Sequence, residues 1–174
     1  MAIRGVAWKF GDYISTDLIA PGRYAHLRSD LPKLAEHVLE DADANFAPAT
    51  LKKDKTYIVV AGRNFGQGSS REHAARIIKL AGVPVVLAKS YARIFYRNAF
   101  NIGMPALTLD TDRIAQGDEL EVDLKRSLVR DVTKGQEFRV GAIPETMLAI
   151  LEGGGIVEFV RKHGDLVFKG AGRS

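Results

Sequence analysis

Apolar and polar positions follow different patterns in the two parts of the chain. Up to residue 110, short apolar stretches typical of strands alternate with segments whose apolar side chains recur at helical spacing. The apolar stretches are residues 5–10, 56–62, 84–88 and 104–109, and the helical segments are residues 31–40, 71–82 and 91–103. This alternation predicts an α/β fold with a mostly parallel three-layer core and right-handed crossovers.

The pattern changes after Asp110. Three short segments predict antiparallel strands in a barrel-like or meander section, and two helical segments follow them. The strands are predicted over residues 118–124, 127–132 and 137–141, and the helices over residues 144–155 and 155–164. Upstream, residues 11–24 are so interrupted by Gly, Asp and Pro that no regular structure is expected there. The whole chain, residues 1–174, is predicted to be one domain with a loose tail at 164–174.

Composition and charge exclude several classes of protein. The 174 residues are 46% apolar and 26% charged, which is ordinary for a globular protein and excludes disorder as the main state. A net charge of +4 and a pI of about 9.4 would suit a nucleic-acid partner. However, the basic clusters at 52–55 and 161–163 are short, and aromatic residues are not interleaved with them as in an RNA-binding sheet. We therefore expect no nucleic-acid function.

The chain contains no Cys, which excludes disulfides, thiolate zinc sites, a cysteine nucleophile and thiolate-bound iron–sulfur clusters. The four His residues do not cluster like metal ligands, so no metal site is expected. The first residues lack the apolar core of a signal peptide, and no run approaches the roughly 20 apolar residues of a membrane helix. The sequence thus predicts a cytoplasmic protein without a membrane partner.

The segment VVAGRNFGQGSSREHAA, residues 59–75, carries the most chemistry. Its glycines let a loop backbone approach a ligand closely, and Ser69 or Ser70 precedes a helix whose first turn holds Arg71. Backbone N–H groups, hydroxyls and a guanidinium together suit a carboxylate. An ordinary helix cap, in which Ser and Glu serve only the helix, remains an alternative. The segment lacks the Lys of a phosphate-binding P-loop and the Gly-x-Ser-x-Gly of a nucleophile elbow.

Three motifs in order resemble one family. They are GDYISTDLIAPGRY (11–24), RNFGQGSSREHA (63–74) and AKSYARIFYRNAFNIGMPAL (88–107). The chain resembles, over residues 3–163, the small subunits of 3-isopropylmalate dehydratases, which correspond to the swivelling domain of the aconitase superfamily. The resemblance implies a swivelling β/β/α domain. One departure is Gln67, which stands where relatives often have Cys.

The resemblance implies a hydro-lyase that isomerises 2- and 3-isopropylmalate by dehydration and rehydration in leucine biosynthesis. By match to the family motifs, Ser69 removes the α-proton as an alkoxide, and Ser70 and Arg71 hold a substrate carboxylate. Asp17 matches an aspartate that orients a histidine of the cluster-bearing part, and a loop aspartate that makes only an Asx-turn is the alternative. The family uses a [4Fe–4S] cluster, and because this chain has no Cys, we expect the cluster in a large partner subunit and no activity from this chain alone.

The identity of the hydroxy-acid substrate is less determined. In the family, the loop that corresponds to residues 20–30 lies over the substituent that distinguishes the substrates. Apolar side chains in this loop would cover an isopropyl group, whereas an extra carboxylate would need a cation. The candidate cations are Arg23, His26 and Arg28, and Arg28 is predicted to bind the substrate. Alternatives are homoaconitate, 2,3-dimethylmalate or a citraconate-type acid, or, in another class, an RNA-binding or non-catalytic scaffold role.

Overall fold

A seven-stranded mixed sheet, in the order β4-β3-β2-β1-β5-β6-β7, runs through the computed structural model, which describes residues 2–69 and 72–164. The strands are β1 Ala2–Lys9, β2 Tyr57–Val60, β3 Val86–Ala88, β4 Ala106–Thr108, β5 Glu119–Asp123, β6 Leu128–Asp131 and β7 Gln136–Arg139. Strands β1 to β4 are parallel, and β1 joins them to the antiparallel strands β5 to β7. The predicted α/β class, with a parallel core and an antiparallel section, is confirmed.

The helices lie between and after the strands. They are α1 Thr16–Ile19, α2 Leu31–Ala35, α3 Phe46–Leu51, α4 Glu72–Leu80, α5 Arg93–Asn101, α6 Glu145–Glu152 and α7 Ile156–His163, with 3-10 helices at Gly22–Leu27 and Thr111–Arg113. The helix predicted over 31–40 ends at Ala35. The backbone continues in tight turns, and the Leu39 N–H donates to Ile19 O at 2.9 Å instead of bonding within a helix. A tertiary hydrogen bond therefore stops this helix early.

The prediction that residues 11–24 contain no regular structure is wrong in part. Ser15 caps α1, because its Oγ accepts from the Leu18 N–H at 3.1 Å, and α1 buries Thr16 and Ile19. The 3-10 helix Gly22–Leu27 follows. Single turns of this kind are too short to produce a periodic apolar pattern, so their stability comes from caps and packing.

Two apolar cores lie on the two faces of the sheet. The first contains buried side chains from α1 to α5, with Val59 and Val86 from the strands. The second contains Ile58 and Leu87 from the parallel strands together with Val122 and Val129 from the antiparallel ones. Since one cluster joins both halves of the sheet on the same face, the sheet curls over itself. The layers are therefore helices, parallel strands and antiparallel strands, as a β/β/α arrangement requires.

Two buried carboxyl groups join the antiparallel strands to the loop before β5. Asp131, at the end of β6, is fully buried, and Asp118 is 5% exposed. Lys134 donates to Asp118 at 3.0 Å, and the Ala115 N–H donates to Asp118 at 2.9 Å. Burial raises the pKa of Asp131, and its contact with Asp118 raises it further. Burial also acts to raise the pKa of Asp118, but hydrogen bonds from Ala115, Asp131 and Lys134 outweigh burial and lower it.

We expect Asp131→Asn to become progressively more stable than the wild type as the pH rises above about 4. A carboxyl group with a raised folded pKa stabilises the fold below its unfolded pKa, and the contribution is lost as the pH rises through its folded pKa. Asn keeps the hydrogen bonds of the protonated form and does not titrate. Urea unfolding between pH 4 and 8 measures the difference, which can grow by at most about 1.4 kcal/mol per pH unit.

The matched control is Asp112→Asn, because hydrogen bonding to Lys89 lowers the pKa of Asp112. That carboxylate is ionised in both folded and unfolded chains above about pH 5, so its difference from the wild type should be constant there. A pH-independent difference for Asp131→Asn as well would contradict the raised pKa of Asp131.

The prediction of one domain over residues 1–174 stays a prediction, and the predicted tail at 164–174 lies outside the described residues from residue 165 onward. In the part of the chain that the structure describes, no helix is long and apolar enough to cross a membrane.

Candidate active site

The loops after β1 and β2 run side by side beyond the carboxyl ends of these parallel strands. Four backbone hydrogen bonds join them: Gly62 N to Gly11 O (3.1 Å), Tyr13 N to Arg63 O (2.7 Å), Gly66 N to Ile14 O (2.7 Å) and Thr16 N to Gln67 O (2.8 Å). Parallel strands have their carboxyl ends at the same edge, where open α/β sheets bind ligands. The first two of the three motifs are thereby brought together.

The loop after β3 joins the same layer. Its bonds are Lys89 N to Gly62 O (3.0 Å), Phe65 N to Ser90 O (3.0 Å), Ala92 N to Phe65 O (2.9 Å) and Asn64 N to Ser90 Oγ (2.7 Å). All three sequence motifs that carry the family resemblance therefore meet at one edge of the sheet. Helices α1, α4 and α5 all begin there, so their N–H ends face the same region.

The glycines of the central loop have a different role from the one expected. A methyl group on Gly62 would collide with the carboxylate of Asp12, which accepts from the Arg63 N–H at 2.7 Å. A methyl group on Gly66 would lie 2.3 Å from the Phe95 ring, and Gly66 has a φ of +84°. At these two positions, the space left by glycine is filled by the protein's own side chains rather than by a ligand.

Gly68 brings the predicted catalytic residues into one neighbourhood. A methyl group there would lie 2.9 Å from Thr16 Oγ1, so the backbone at Gly68 packs against Thr16. Ser69 follows Gly68, and Asp17 follows Thr16. Both Ser69 and Asp17 are exposed at the edge of the sheet. The Thr16 hydroxyl is buried and has no hydrogen-bond partner among the described residues.

The predicted carboxylate-binding residues Ser70 and Arg71 lie outside the described residues. The predicted substrate residue Arg28 is exposed and ends the 3-10 helix Gly22–Leu27. It lines a tight crevice with Tyr24 and with His73, which is in the first turn of α4. The structure thus places Arg28 beside the helix that follows Ser69. Another candidate cation, Arg23, forms an ion pair with Asp41 at 2.6 Å.

Gln67, the departure from the family pattern, is engaged within the loop. Its Oε1 accepts from Asn64 Nδ2 at 2.8 Å, while its backbone carbonyl binds the Thr16 N–H. Asn64 has a φ of +53°, a left-handed conformation that Asn tolerates better than most residues. The amide pair stabilises the turn that leads to Ser69.

Cations surround the edge of the sheet. Lys89 forms a 2.6 Å ion pair with Asp112, and this hydrogen bond lowers the pKa of Asp112. Lys9 donates to the backbone carbonyl of Ile114 at 2.6 Å. Arg63, in the central loop, and Arg93, at the start of α5, are exposed. Exposed aspartates lie at the same edge, so the edge carries charges of both signs.

Sequence reasoning missed the residues that hold the loops. Asp12 and Ser90 bind loop N–H groups, and Asp12 is one of several Asp residues in a turn-rich segment, where an Asx-type contact could have been expected.

The hydroxyl of Tyr91 lies 2.9 and 2.7 Å from the carbonyl oxygens of Val86 and Leu107. Burial raises the pKa of Tyr91 well above its usual value, so the hydroxyl stays protonated. No signal in the sequence indicates that contact.

The described residues provide no ligand set for a metal ion or cluster. Among the described residues, no group of three or more His, Cys, Asp or Glu residues is placed to hold a metal ion. The full sequence has no Cys, and iron–sulfur clusters are held mainly by thiolates. The chemistry that this edge offers consists of a serine hydroxyl, helix N-termini, cations and exposed carboxylates, of which Asp17 lies beside the Ser69 loop.

Comparisons with known proteins show what the whole chain is similar to. The family model of the aconitase C-terminal domain matches residues 31–112. A 3-isopropylmalate dehydratase small subunit of Archaeoglobus fulgidus is 60% identical over 166 residues, covering 95% of this chain and 99% of the relative. Another, from Thermotoga maritima, is 59% identical over 163 residues, with coverages of 93% and 96%. A solved 3-isopropylmalate dehydratase structure from Methanocaldococcus jannaschii has a TM-score of 0.86 at 41% identity, covering 94% of this chain and 96% of that one.

Proposed function

Because this chain belongs to the family of 3-isopropylmalate dehydratase small subunits, we propose that it is the small subunit of a heteromeric hydro-lyase. The complex interconverts 2-isopropylmalate and 3-isopropylmalate, a step of leucine biosynthesis, by removing water and adding it back to the adjacent carbon. The observation that supports this most directly is the position of Ser69. It is exposed at the end of the hydrogen-bonded loops, three positions before α4 begins at Glu72.

In the proposed reaction, Ser69 accepts the proton from the carbon next to the one that carries the hydroxyl. A free serine hydroxyl is far too weak an acid to be deprotonated at neutral pH. The oxyanion therefore needs the N–H end of α4, the guanidinium of Arg71 and exclusion of water. Ser70 and Arg71 are proposed to hold a substrate carboxylate, since a planar guanidinium binds both carboxylate oxygens.

Groups that this chain lacks come from a second subunit. We assign the [4Fe–4S] cluster to the large subunit, because this chain has no Cys to bind it. When bound there, such a cluster supplies a Lewis acid for the substrate hydroxyl. Asp17, exposed on α1 beside the Ser69 loop, is proposed to orient a histidine of that subunit. A protein that depends on the cluster and has no Cys suits the cytoplasm.

The substrate is proposed to be an isopropylmalate, because the relatives are named for that substrate. In loop 20–30, the ion pair of Arg23 with Asp41 removes one of the three cations that an additional carboxylate would need. The half-buried Tyr24 and Leu27 pack against the first core and offer apolar surface. Arg28 is proposed to contact the substrate, and the tricarboxylic alternatives are not favoured.

We expect the purified chain alone to fold, to bind no iron and to show no turnover of 3-isopropylmalate. Activity should appear when a 3-isopropylmalate dehydratase large subunit with a reconstituted cluster is added, because the active site is shared between the subunits. Ultraviolet absorbance of the unsaturated dicarboxylate intermediate measures turnover, and iron analysis of the isolated chain is the control. Turnover by the isolated chain after removal of metal ions would contradict the proposal.

A further inference from the structure

Loop 20–28 is held in place by a cluster of side chains that have no assigned role in the proposed reaction. The cluster, here called the Arg23 latch, consists of Arg23, Tyr24, His37, Glu40 and Asp41. Arg23 Nη1 lies 2.6 and 2.7 Å from the two carboxylate oxygens of Asp41, and Arg23 Nη2 lies 3.1 Å from Glu40 Oε2. The latch therefore joins the 3-10 helix Gly22–Leu27 to the turns that follow α2.

Aromatic stacking completes the latch. The rings of Tyr24 and His37 stack with centroids 3.8 Å apart and planes 12° apart, and the Arg23 guanidinium lies 4.8 Å from the Tyr24 centroid. His37 Nδ1 lies 3.3 Å from Glu40 Oε2, the same oxygen that binds Arg23. Glu40 thus bridges Arg23 and His37, and the five side chains form a closed set of contacts.

The latch connects directly to the candidate active site. Tyr24 is a member of the latch and also lines the crevice that contains Arg28 and His73. His73 is in the first turn of α4, the helix that follows Ser69. A movement of Tyr24 would therefore change the position of Arg28 relative to this helix.

The latch contributes too little energy to stabilise the whole fold, so its effect is on the position of loop 20–28. The side chains of Arg23 and Asp41 are 52% and 36% exposed. Ion pairs this exposed typically contribute only about 0.2–1 kcal/mol to folding, although a bidentate Arg in a network holds a defined geometry. The five residues contact one another, so their effect on substrate would have to pass through Tyr24 and Arg28.

We propose that the Arg23 latch is a positioning device that holds loop 20–28 against α4 and thereby sets substrate affinity, a role that rests on the dehydratase function proposed above. The latch residues do not touch the reacting atoms. Breaking the latch should therefore weaken substrate binding and leave the proton-transfer step intact. In kinetic terms, KM rises while kcat is unchanged.

The test compares Arg23→Met, Asp41→Asn and the double variant in the reconstituted complex. We expect each single variant to raise KM for 3-isopropylmalate about threefold to fivefold, with kcat within twofold of the wild type. The double variant should have the same KM as the singles, because both remove one interaction. Glu158→Gln, which breaks the exposed Arg161–Glu158 pair on α7, is the matched control and should leave both constants unchanged.

Amide hydrogen exchange in the isolated chain tests the latch independently of catalysis. The Tyr24 and Arg28 N–H groups donate within the loop, at 3.0 and 3.2 Å, and should exchange about threefold to fivefold faster in the single latch variants, with no change in Glu158→Gln. If the latch variants exchange faster but the wild-type complex shows no turnover, the proposed function is refuted, whereas the role of the latch in holding the loop is supported. An unchanged KM in an active complex, a fall in kcat alone, or unchanged exchange would each overturn the positioning role.

Discussion

Ser69→Ala is expected to lower kcat of the reconstituted complex by at least about 100-fold, while KM for 3-isopropylmalate changes little. The substitution removes the proposed proton acceptor but leaves the loop intact, because the Ser69 side chain is exposed and is not part of the backbone contacts that join the three loops. A 100-fold loss corresponds to about 2.7 kcal/mol of transition-state stabilisation. Initial rates across a range of substrate concentrations measure both constants.

Assembly and folding must be shown to be unchanged in this variant. Size-exclusion chromatography of the complex and thermal unfolding of the isolated chain should match the wild type. Ser127→Ala, in the turn between β5 and β6, is the matched control and should retain full kcat. If Ser69→Ala kept more than about a tenth of the wild-type kcat, the loss would be below roughly 1.4 kcal/mol. That loss is too small for a catalytic base and would favour a non-catalytic scaffold role.

Gly66→Ala is expected to destabilise the isolated chain by about 3 kcal/mol or more. The left-handed φ of +84° costs a residue with a Cβ about 1–2 kcal/mol. The added methyl group would lie 2.3 Å from the ring of Phe95, which is almost fully buried, and such overpacking typically costs about 1–3 kcal/mol. Urea unfolding followed by circular dichroism measures the free energy of unfolding.

The variant Gly82→Ala separates the cost of the left-handed backbone from the cost of overpacking. Gly82 has a φ of +91°, but a methyl group there would meet nothing within 4 Å, so only the backbone cost of about 1–2 kcal/mol should remain. If Gly66→Ala does not fold, Phe95→Leu in the same chain should partly restore folding, because it removes the aromatic ring that the methyl group meets. Equal destabilisation by Gly66→Ala and Gly82→Ala would contradict the packing role of Gly66.

Much of the fold was predictable because hydrophobic periodicity reports burial. The strands Tyr57–Val60 and Val86–Ala88 and the helices α4 and α5 lie inside the segments that the pattern predicted. Short elements were not predictable in the same way. Helix α1 has four residues and depends on the Ser15 cap, and the turns that follow α2 lead Leu39 to a bond with Ile19. Neither feature leaves a periodic trace in the sequence.

The sequence by itself determined the class of fold, the family and the absence of thiolate ligands, since strand and helix patterns, ordered motifs and the lack of Cys are all local or compositional properties. Only the tertiary structure decided that Gly62 and Gly66 make room for Asp12 and Phe95, and that Arg23 is paired with Asp41. The physical reason is that these contacts join residues 18 to 50 positions apart. No periodicity or propensity encodes which distant side chain fills a given space, so such partners become visible only when the chain is folded.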